Sequence, residues 1–338
     1  MSTPAPPAGL SFPRDIYAKL SPYPYLLAHL EPATSTAISV RASGRRPHEC
    51  RTPHINNGSL THAEGSAVVR IGDTTVVCGV RGEILLASQV AGYRLDSEEI
   101  TTAQVDAEAR ELHLLVPNIE LATGCSPHYM PDHPPSSLAQ SLSARIYSLL
   151  HSSRIVPGED LRIYAAAAPE LEEPAKVKAF WTLYIDILFI SLDGNPFDAA
   201  WAAVISALHD VRLPQAHWDP DLEQVLCQPA QSMATPLHLR GMPIALTAAI
   251  FCGRDPGLDS KRDAPTWLLV DPDALEESLC TEFVSIVVDA TSGTIHIVGL
   301  SKVGGPVVGP SQMAQLLALA EERWVQLRSL LKSRLPAP

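Results

Sequence analysis

Alternating apolar and polar side chains from Ile55 to Leu86 predict β-structure. Within this segment, Ser66 to Ile71 and Thr74 to Val80 flank the dipeptide Gly72-Asp73. A two-residue connection that contains glycine favours a tight turn of type I′ or II′. The segment therefore predicts a β-hairpin.

Helical spacing marks two other parts of the first half. Pro13 to Leu30 has loose helical spacing interrupted by prolines, which predicts a broken helix. From Ser136 to His151 an apolar stripe follows two serines, which are typical residues at the start of a helix.

Val177 to Leu192 is rich in aromatic and β-branched residues and predicts one or two strands. The turn at Asp193-Gly194-Asn195-Pro196 then leads into an alanine-rich helix over Phe197 to Leu208.

Two segments of the first half lack a periodic pattern. Ala91 to Arg110 is polar and acidic, and it predicts a surface loop. A short strand over Leu112 to Leu121 separates it from a second loop, rich in proline and histidine, that reaches Pro135.

The second half repeats the order of strands followed by a helix. Leu213 to Asp221 breaks the pattern and is the predicted domain boundary. The predicted strands after it are Ile244 to Phe251, Trp267 to Val270, Cys280 to Val288 and Thr294 to Leu300, and a helix follows whose apolar face is Met313, Leu316, Leu317, Ala320, Trp324, Leu327 and Leu331. This order predicts an α+β protein of two pseudo-duplicated units of sheet plus helix. We expect residues 1–36 to form a lead-in with a helix, residues 37–213 the first domain, and residues 214–338 the second domain, which ends in the C-terminal helix.

Composition restricts the function. The chain has 338 residues and a formal charge of −12, which argues against a broad basic face for nucleic acid, so any RNA contact must be local. The six cysteines form no CxxC pair and are expected to be buried, reduced thiols. The N-terminus lacks the pattern of a signal peptide, and the longest apolar stretch, Phe180 to Leu192, is too short to span a bilayer. We expect no membrane contact.

The sequence contains no familiar cofactor-binding or metal-binding motif. Gly304, Gly305 and Gly309 precede a helix, but their spacing fits no phosphate-binding motif, and a structural loop is the favoured interpretation. His48 with Cys50, or His128 with His133, lack a second pair at metal-ligand spacing. The sequence therefore predicts neither a metal site nor a cofactor.

A set of short segments, in order along the chain, carries a family resemblance. These are Arg46 to Arg51, Asn57-Gly58-Ser59, Ala63 to Thr74, Val116 to Leu121, Tyr184 to Leu188, Leu192 to Asn195 and Leu269-Val270-Asp271-Pro272. They resemble RNase PH-type proteins over about Ile38 to Leu331, and within these the ring subunits of the eukaryotic RNA exosome. The resemblance implies an RNase PH-like fold in a hexameric ring of similar chains, with RNA in the central channel and cap subunits with RNA-binding domains on one face. It also implies that associated nucleases do the cutting, and that the chain is found in nucleus, nucleolus and cytoplasm.

The same resemblance argues against catalysis. Active members use phosphate to attack RNA, and their turn after Asp-Gly continues Gly-Thr-Arg-Thr or Ser, whereas this chain has Asn195-Pro196-Phe197-Asp198. Phe197 offers no charge, Pro196 offers no amide donor, and Asp198 is expected to repel phosphate. The two aspartates of active members fall on Glu277 and Phe283, although a one-residue shift gives Glu276 with Glu282. The prediction is a degenerate site without catalytic residues.

RNA contacts are also expected to be sparse. Active relatives carry several arginines along the helix Ser136 to His151, and this chain keeps Arg145. The further candidates for guiding RNA are Arg94, Arg110, Arg254, Lys261 and Arg262. Two alternatives stay open: an active phosphorolytic exoribonuclease that uses Glu276 or Glu277 with Glu282, and an adaptor that shares only the fold.

Overall fold

The computed structural model describes residues 13–31, 38–91, 93, 101–126, 129–130, 134–165, 176–228, 231–253, 265–305 and 308–334. The helices are α1 (Arg14–Leu20), α2 (Pro22–Leu30), α3 (Thr102–Glu111), α4 (Ser137–Ser153), α5 (Pro196–Asp210), α6 (Ala274–Leu279) and α7 (Pro310–Arg334). The strands of the first half are β1 (Pro53–Asn57), β2 (Gly65–Ile71), β3 (Thr74–Leu86), β4 (Leu115–Leu121), β5 (Arg162–Tyr164) and β6 (Val177–Ser191). Those of the second half are β7 (Arg212–Leu213), β8 (Ala216–Asp219), β9 (Gln224–Cys227), β10 (Thr235–Pro236), β11 (Ile244–Cys252), β12 (Thr266–Val270), β13 (Glu282–Asp289) and β14 (His296–Val303).

A six-stranded sheet organises the first half, in the order β1-β2-β3-β6-β4, with β5 also paired to β6. Its neighbours are antiparallel except β4 and β6, which run parallel. Gly72 has a φ of +60° in the turn that joins β2 to β3. The predicted hairpin is confirmed, and β6 is one continuous strand.

Helix α5 lies between the two halves of the molecule. It packs on β2 and β3 of the first sheet and on β11 of the second. Every residue from Phe197 to Leu208 is buried, because a helix between two sheets has no face left for solvent. The alanines predicted to make this segment helical have small side chains, which allow both sheets to approach it closely.

The second sheet has four antiparallel strands in the order β12-β11-β13-β14. Helix α7 packs on β11 and β13, with Leu316, Ala320, Trp324 and Leu327 buried as the apolar stripe predicts. Trp324 Nε1 donates a hydrogen bond to the carbonyl of Met242 at 2.8 Å. The α+β prediction, with a sheet and helices in each half, is confirmed.

The other predicted helices of the first half are confirmed as well. The segment Pro13 to Leu30 forms α1 and α2, separated at Ser21. The hydroxyl of Ser136 accepts a hydrogen bond from the amide of Ala139 at 3.2 Å and caps α4. Within the described ranges, no helix combines the length and the apolar character that a membrane span requires.

The prediction of a loop over Ala91 to Arg110 is wrong for its second part, where α3 lies. This helix buries only Val105 and Ala109, so its apolar period is too weak to recognise. The side chains of Thr101 and Gln104 form a capping box at its start. The sequence signal that could have predicted α3 was its capping box and not an apolar stripe.

Two shorter elements were also missed. Helix α6 has six residues, which is too few to show a period, and it begins with a capping box of Asp273 and Glu276. The predicted boundary segment contains β8, which pairs with β9, while β10 pairs with β7 across the proposed boundary between residues 213 and 214. That boundary stays a prediction.

The expectation of buried cysteines holds for only part of the set. All six are free thiols, and Cys78 and Cys280 are buried, but Cys227 and Cys252 are exposed. Both exposed cysteines are the last residues of strands, β9 and β11. An apolar sequence neighbourhood does not bury the terminal residue of a strand.

Candidate functional site

The turn that starts α5 is the place where the resemblance puts the phosphate anchor. Gly194 and Asn195 have φ values of +71° and +50°, and Pro196 is the first helical residue. A Cβ atom on Gly194 would lie 2.5 Å from the carbonyl carbon of Asp273. Glycine is therefore needed here for two reasons, a left-handed backbone and a close approach to the segment that precedes α6.

The chain's own side chains bind the polar groups of this turn. The amide of Asn195 donates to Glu277 Oε1 at 2.7 Å. Asn195 Nδ2 donates to Asp198 Oδ2 and to Asp271 Oδ1, both at 2.8 Å. Burial raises the pKa of Glu277 to about 7. An anion that approaches the Asn195 amide would have to displace this carboxyl group.

Phe197 is covered by Arg145. Arg145 Cζ lies 3.9 Å from the centroid of the Phe197 ring, and Arg145 Nη2 donates to Ser285 Oγ on β13 at 3.0 Å. Burial lowers the pKa of Arg145. This arginine of α4 therefore holds α4 against the second sheet through a cation–π contact and a hydrogen bond.

The expected role of Asp198 needs correction. Its carboxylate is buried rather than presented to a ligand, and it accepts hydrogen bonds from the Thr247 amide at 2.8 Å and the Thr247 hydroxyl at 2.7 Å. Burial raises the pKa of Asp198. Asp198 joins α5 to β11 and is a structural group.

The two carboxylates of the shifted alignment, Glu276 and Glu282, each pair with a cation. Glu276 is fully buried and binds Arg41 in a bidentate pair, in which Arg41 Nε lies 2.7 Å from Glu276 Oε1. Glu282 is buried, with Lys302 Nζ 2.9 Å from its Oε1. Phe283 is half-buried and packs against the apolar cluster of α2, β11 and β12. These positions support the fold and offer no pair of free acids.

A second ion pair, between Arg51 and Asp271, contacts the turn. Arg51 Nη2 donates to Asp271 Oδ1 at 2.8 Å, and Arg51 Nη1 donates to the carbonyl of Asp193 at 2.6 Å. Although burial opposes ionisation, the bonds from Arg51 hold the pKa of Asp271 below its usual range. Arg51 and Asp271 thus tie the start of β1, the turn and the end of β12 together.

Comparison with known proteins identifies the family. Models of the 3′ exoribonuclease family match residues 49–214 (domain 1) and 241–323 (domain 2). The exosome complex component rrp43 of Schizosaccharomyces pombe is 32% identical over 315 residues, which cover 93% of this chain and 97% of that protein. The chain belongs to the RNase PH, or 3′ exoribonuclease, family. The resemblance stated from the sequence motifs is confirmed.

Other members of the RNase PH family agree with this assignment. The exosome complex component Rrp42 of Methanothermobacter thermautotrophicus is 31% identical over 176 residues, 52% of this chain and 54% of that protein. A chain in the structure titled "archaeoglobus fulgidus exosome with RNA bound to the active site" has a TM-score of 0.60 at 23% identity and covers 94% of this chain and 98% of its own length. A chain of an archaeal exosome core has a TM-score of 0.57 at 22% identity. At such identities the structural likeness concerns the RNase PH fold.

The structure brings together only some of the predicted site residues of this RNase PH chain. Asn195, Pro196, Phe197 and Glu277 meet at one turn, and Arg145 adjoins them. Arg110 is exposed on α3, in a different groove. Arg94, Arg254, Lys261 and Arg262 lie outside the described residues, as do His128 and His133. No cluster of metal-binding side chains occurs in the part of the chain that the structure describes.

Gly304 and Gly305, which directly follow β14, pack tightly on the chain. Gly304 and Gly305 have φ values of +70° and +62°, and a Cβ on Gly304 would lie 2.0 Å from the carbonyl oxygen of Thr281. Lys302 Nζ donates to the carbonyl of Gly304 at 2.6 Å. For Gly304 and Gly305 these contacts support the structural interpretation.

Sequence reasoning missed residues that connect the first half of the chain to the second. Arg41 and Thr247 were not singled out, and Arg51 and Asp271 were noted as motif residues without a role. Their partners are far away along the chain: Arg41 and Glu276 are separated by 235 positions. No local pattern reports such a pairing.

Proposed function

We propose that this chain is a non-catalytic ring subunit of an RNA exosome, and that it supports 3′-to-5′ RNA processing by threading RNA to associated nucleases. The exosome complex component of Schizosaccharomyces pombe, which is similar to this chain over almost the whole length of both proteins, supports this proposal. The partners are other RNase PH-like ring subunits, cap subunits with RNA-binding domains, associated nucleases and RNA in the channel.

The bond from the Asn195 amide to Glu277 carries the non-catalytic part of the proposal. At the turn where phosphate would have to bind, this amide already has a carboxyl partner and Pro196 has no N–H to offer. Phe197 supplies no charge, and Arg145 is engaged with Phe197 and Ser285. A charge-assisted contact to phosphate contributes about 1.5 to 3 kcal/mol, so losing the anchor leaves little binding for the attacking group.

The free edge of the second sheet supports the ring part of the proposal. β14 is an edge strand among the described strands, and Ile297, Leu300 and Val303 on it are 54–58% exposed. Exposed strand edges promote pairing with another chain, and apolar patches mark protein contacts. A neighbouring subunit that covers β14 removes both liabilities.

Incubation of the purified chain with single-stranded RNA and inorganic phosphate tests the catalytic part. We expect no nucleoside diphosphates. Co-purification with RNase PH-like partners, followed by mass measurement of the intact assembly, tests the ring part. Release of nucleoside diphosphates contradicts the first part, and failure to enter any ring contradicts the second and favours an adaptor that merely shares the fold.

A specific observation keeps an active phosphorolytic exoribonuclease as the second candidate. A guanidinium (Arg145) and a carboxyl group with a pKa of about 7 (Glu277) both lie at the turn, and general acid–base catalysis favours a pKa near the working pH. This candidate requires phosphorolysis by the unmodified chain and its loss in both Arg145→Ala and Glu277→Gln.

The proposal extends to location. We propose that the chain is present in nucleus, nucleolus and cytoplasm, where the assembled exosome is expected. Microscopy of the tagged chain tests this, and confinement to one other compartment contradicts it.

A further inference from the structure

A groove of about 580 Å³ lies between α3 and the C-terminal part of α4; we call it the α3–α4 groove. Ala103 and Ala107 of α3 contribute small side chains to its wall, and Tyr147 and His151 of α4 are also among its lining residues. The groove lies on a different side of α4 from Arg145, because Tyr147 and His151 are two and six positions further along a helix of 3.6 residues per turn. It is therefore separate from the turn at α5.

Aromatic rings cluster in the α3–α4 groove. The rings of Tyr147 and His151 are 4.5 Å apart, and those of His113 and Tyr147 are 6.0 Å apart. A hydrogen bond of 2.8 Å joins His113 Nδ1 to the Tyr147 hydroxyl. His151 Nε2 is buried without a hydrogen-bond partner among the described residues. The cluster thus offers flat aromatic rings to a ligand.

Two guanidinium groups add positive charge. Arg110 and Arg154 both line the groove, are exposed, and form no ion pair or side-chain hydrogen bond within the described ranges. The groove also contains Asp106, but that carboxylate binds Arg240 and the Gly158 amide. The exposed acid that remains is Glu111.

The combination indicates the chemistry of the ligand. Proteins bind single-stranded nucleic acid by pairing cations with the backbone and by stacking bases on aromatic rings, a mode that tolerates any base sequence. A chain with a net charge of −12 has no broad field that attracts RNA, so a contact has to be built locally. An acidic peptide would use the two arginines but would not need the row of rings.

We propose that the α3–α4 groove binds a segment of single-stranded RNA, with Arg110 and Arg154 contacting phosphates and Tyr147 stacking on a base. The choice of RNA as ligand rests on the proposed function. The site itself is distinct from the turn at α5 and gives the predicted RNA candidate Arg110 a defined place.

Fluorescence anisotropy of a labelled short oligouridine, titrated with the full chain, tests the proposal. We expect Arg110→Ala to weaken binding about tenfold, the loss of one charge-assisted contact. The slope of log K against log salt concentration should become shallower by about 0.7, the value for one phosphate contact on a single strand. Tyr147→Leu keeps an apolar side chain but removes the ring, and it should weaken binding about fivefold with the salt dependence unchanged.

Arg70→Ala is the matched control, because it removes an exposed arginine from β2, at a distant part of the first sheet. We expect its affinity to stay within about twofold of the unmodified chain, since screened surface charges act weakly at a distance. Equal losses in Arg70→Ala and Arg110→Ala overturn the proposal. So does a polyglutamate peptide that competes as well as RNA, or an Arg110→Ala effect on adenosine monophosphate or inorganic phosphate but not on oligouridine.

The failure of this inference is distinguishable from that of the proposed function. Co-purification of Arg110→Ala with ring partners reports assembly alone. Normal assembly with unaltered oligouridine binding rejects the groove and leaves the ring proposal intact.

Discussion

The contact between the first and second halves of the chain, which we call the joint, and the exposed edge strand β14 differ in which residues they bury. At the joint, Arg41 and Glu276 are charged and fully buried, whereas Ile297 and Leu300 on β14 are apolar and more than half exposed. Charged side chains are rarely buried unless paired, and clustered apolar side chains at a surface mark contacts. The joint is therefore complete within one chain, whereas we propose that another chain covers the β14 edge.

Breaking the buried pair should have the largest effect. In Arg41→Ala the Glu276 carboxylate stays buried without its bidentate partner. Removing one member of a buried pair costs about 3 to 5 kcal/mol. We expect the free energy of unfolding, measured by urea denaturation, to fall by that amount.

A double variant separates charge from packing. Arg41→Met with Glu276→Gln removes both charges, and glutamine retains an acceptor for the capping box of α6. We expect it to recover much of the stability lost in Arg41→Ala, since replacing both partners of a buried pair is often neutral. Arg41→Ala as stable as the unmodified chain would show that the joint does not depend on this pair.

The joint also shows where sequence reasoning stops. Ser136 before an apolar stripe, and Gly72-Asp73 between two alternating runs, are local signals, and both α4 and the β2–β3 hairpin were predicted from them. The pairing of Arg41 with Glu276 depends on how the segment before β1 packs on α6, which no local period encodes. Helix α3 falls between these cases, because it has a cap but only two buried residues.

The candidate site divides in the same way. The segment Asn195 to Asp198 was predicted to be degenerate because it departs from the pattern of active family members, and Asn195 contacts Glu277, one of the two positions that the ungapped alignment gave. The inward orientation of Asp198 was missed, because a residue in the first turn of a helix can face solvent or a second sheet. Only the position of β11, which supplies Thr247, decides between them.

The turn at α5 belongs to the joint but carries an acid that titrates near neutrality, and its effect should be intermediate. Burial raises the pKa of Glu277 from 4.5 to about 7. Between these pH values the folded chain binds a proton that the unfolded chain has lost, so this group lowers the free energy of unfolding as pH rises. Glu277→Gln stays neutral at every pH. Its free energy of unfolding should therefore exceed that of the unmodified chain by an amount that grows with pH and reaches about 1 to 3 kcal/mol near pH 7.

Denaturation of both chains at a series of pH values measures this difference. Glutamine keeps an oxygen that can accept from the Asn195 amide, so the comparison isolates the charge. Titrating groups that do not interact with Glu277 are common to both chains and cancel. A difference that stays constant from pH 4.5 to 7, the range set by the two pKa values, contradicts the prediction.

The exposed edge should respond least in stability and most specifically in assembly. Leu300→Ser removes a half-exposed apolar side chain from β14, so we expect the isolated chain to unfold within about 0.5 kcal/mol of the unmodified one. Its association with ring partners should weaken by about 1 kcal/mol, roughly half of a fully buried leucine. Leu222→Ser is the matched control, because Leu222 is 59% exposed but follows β8. Equal weakening of assembly in both variants, measured by titration of the partner, would mean that β14 is not the contacting edge.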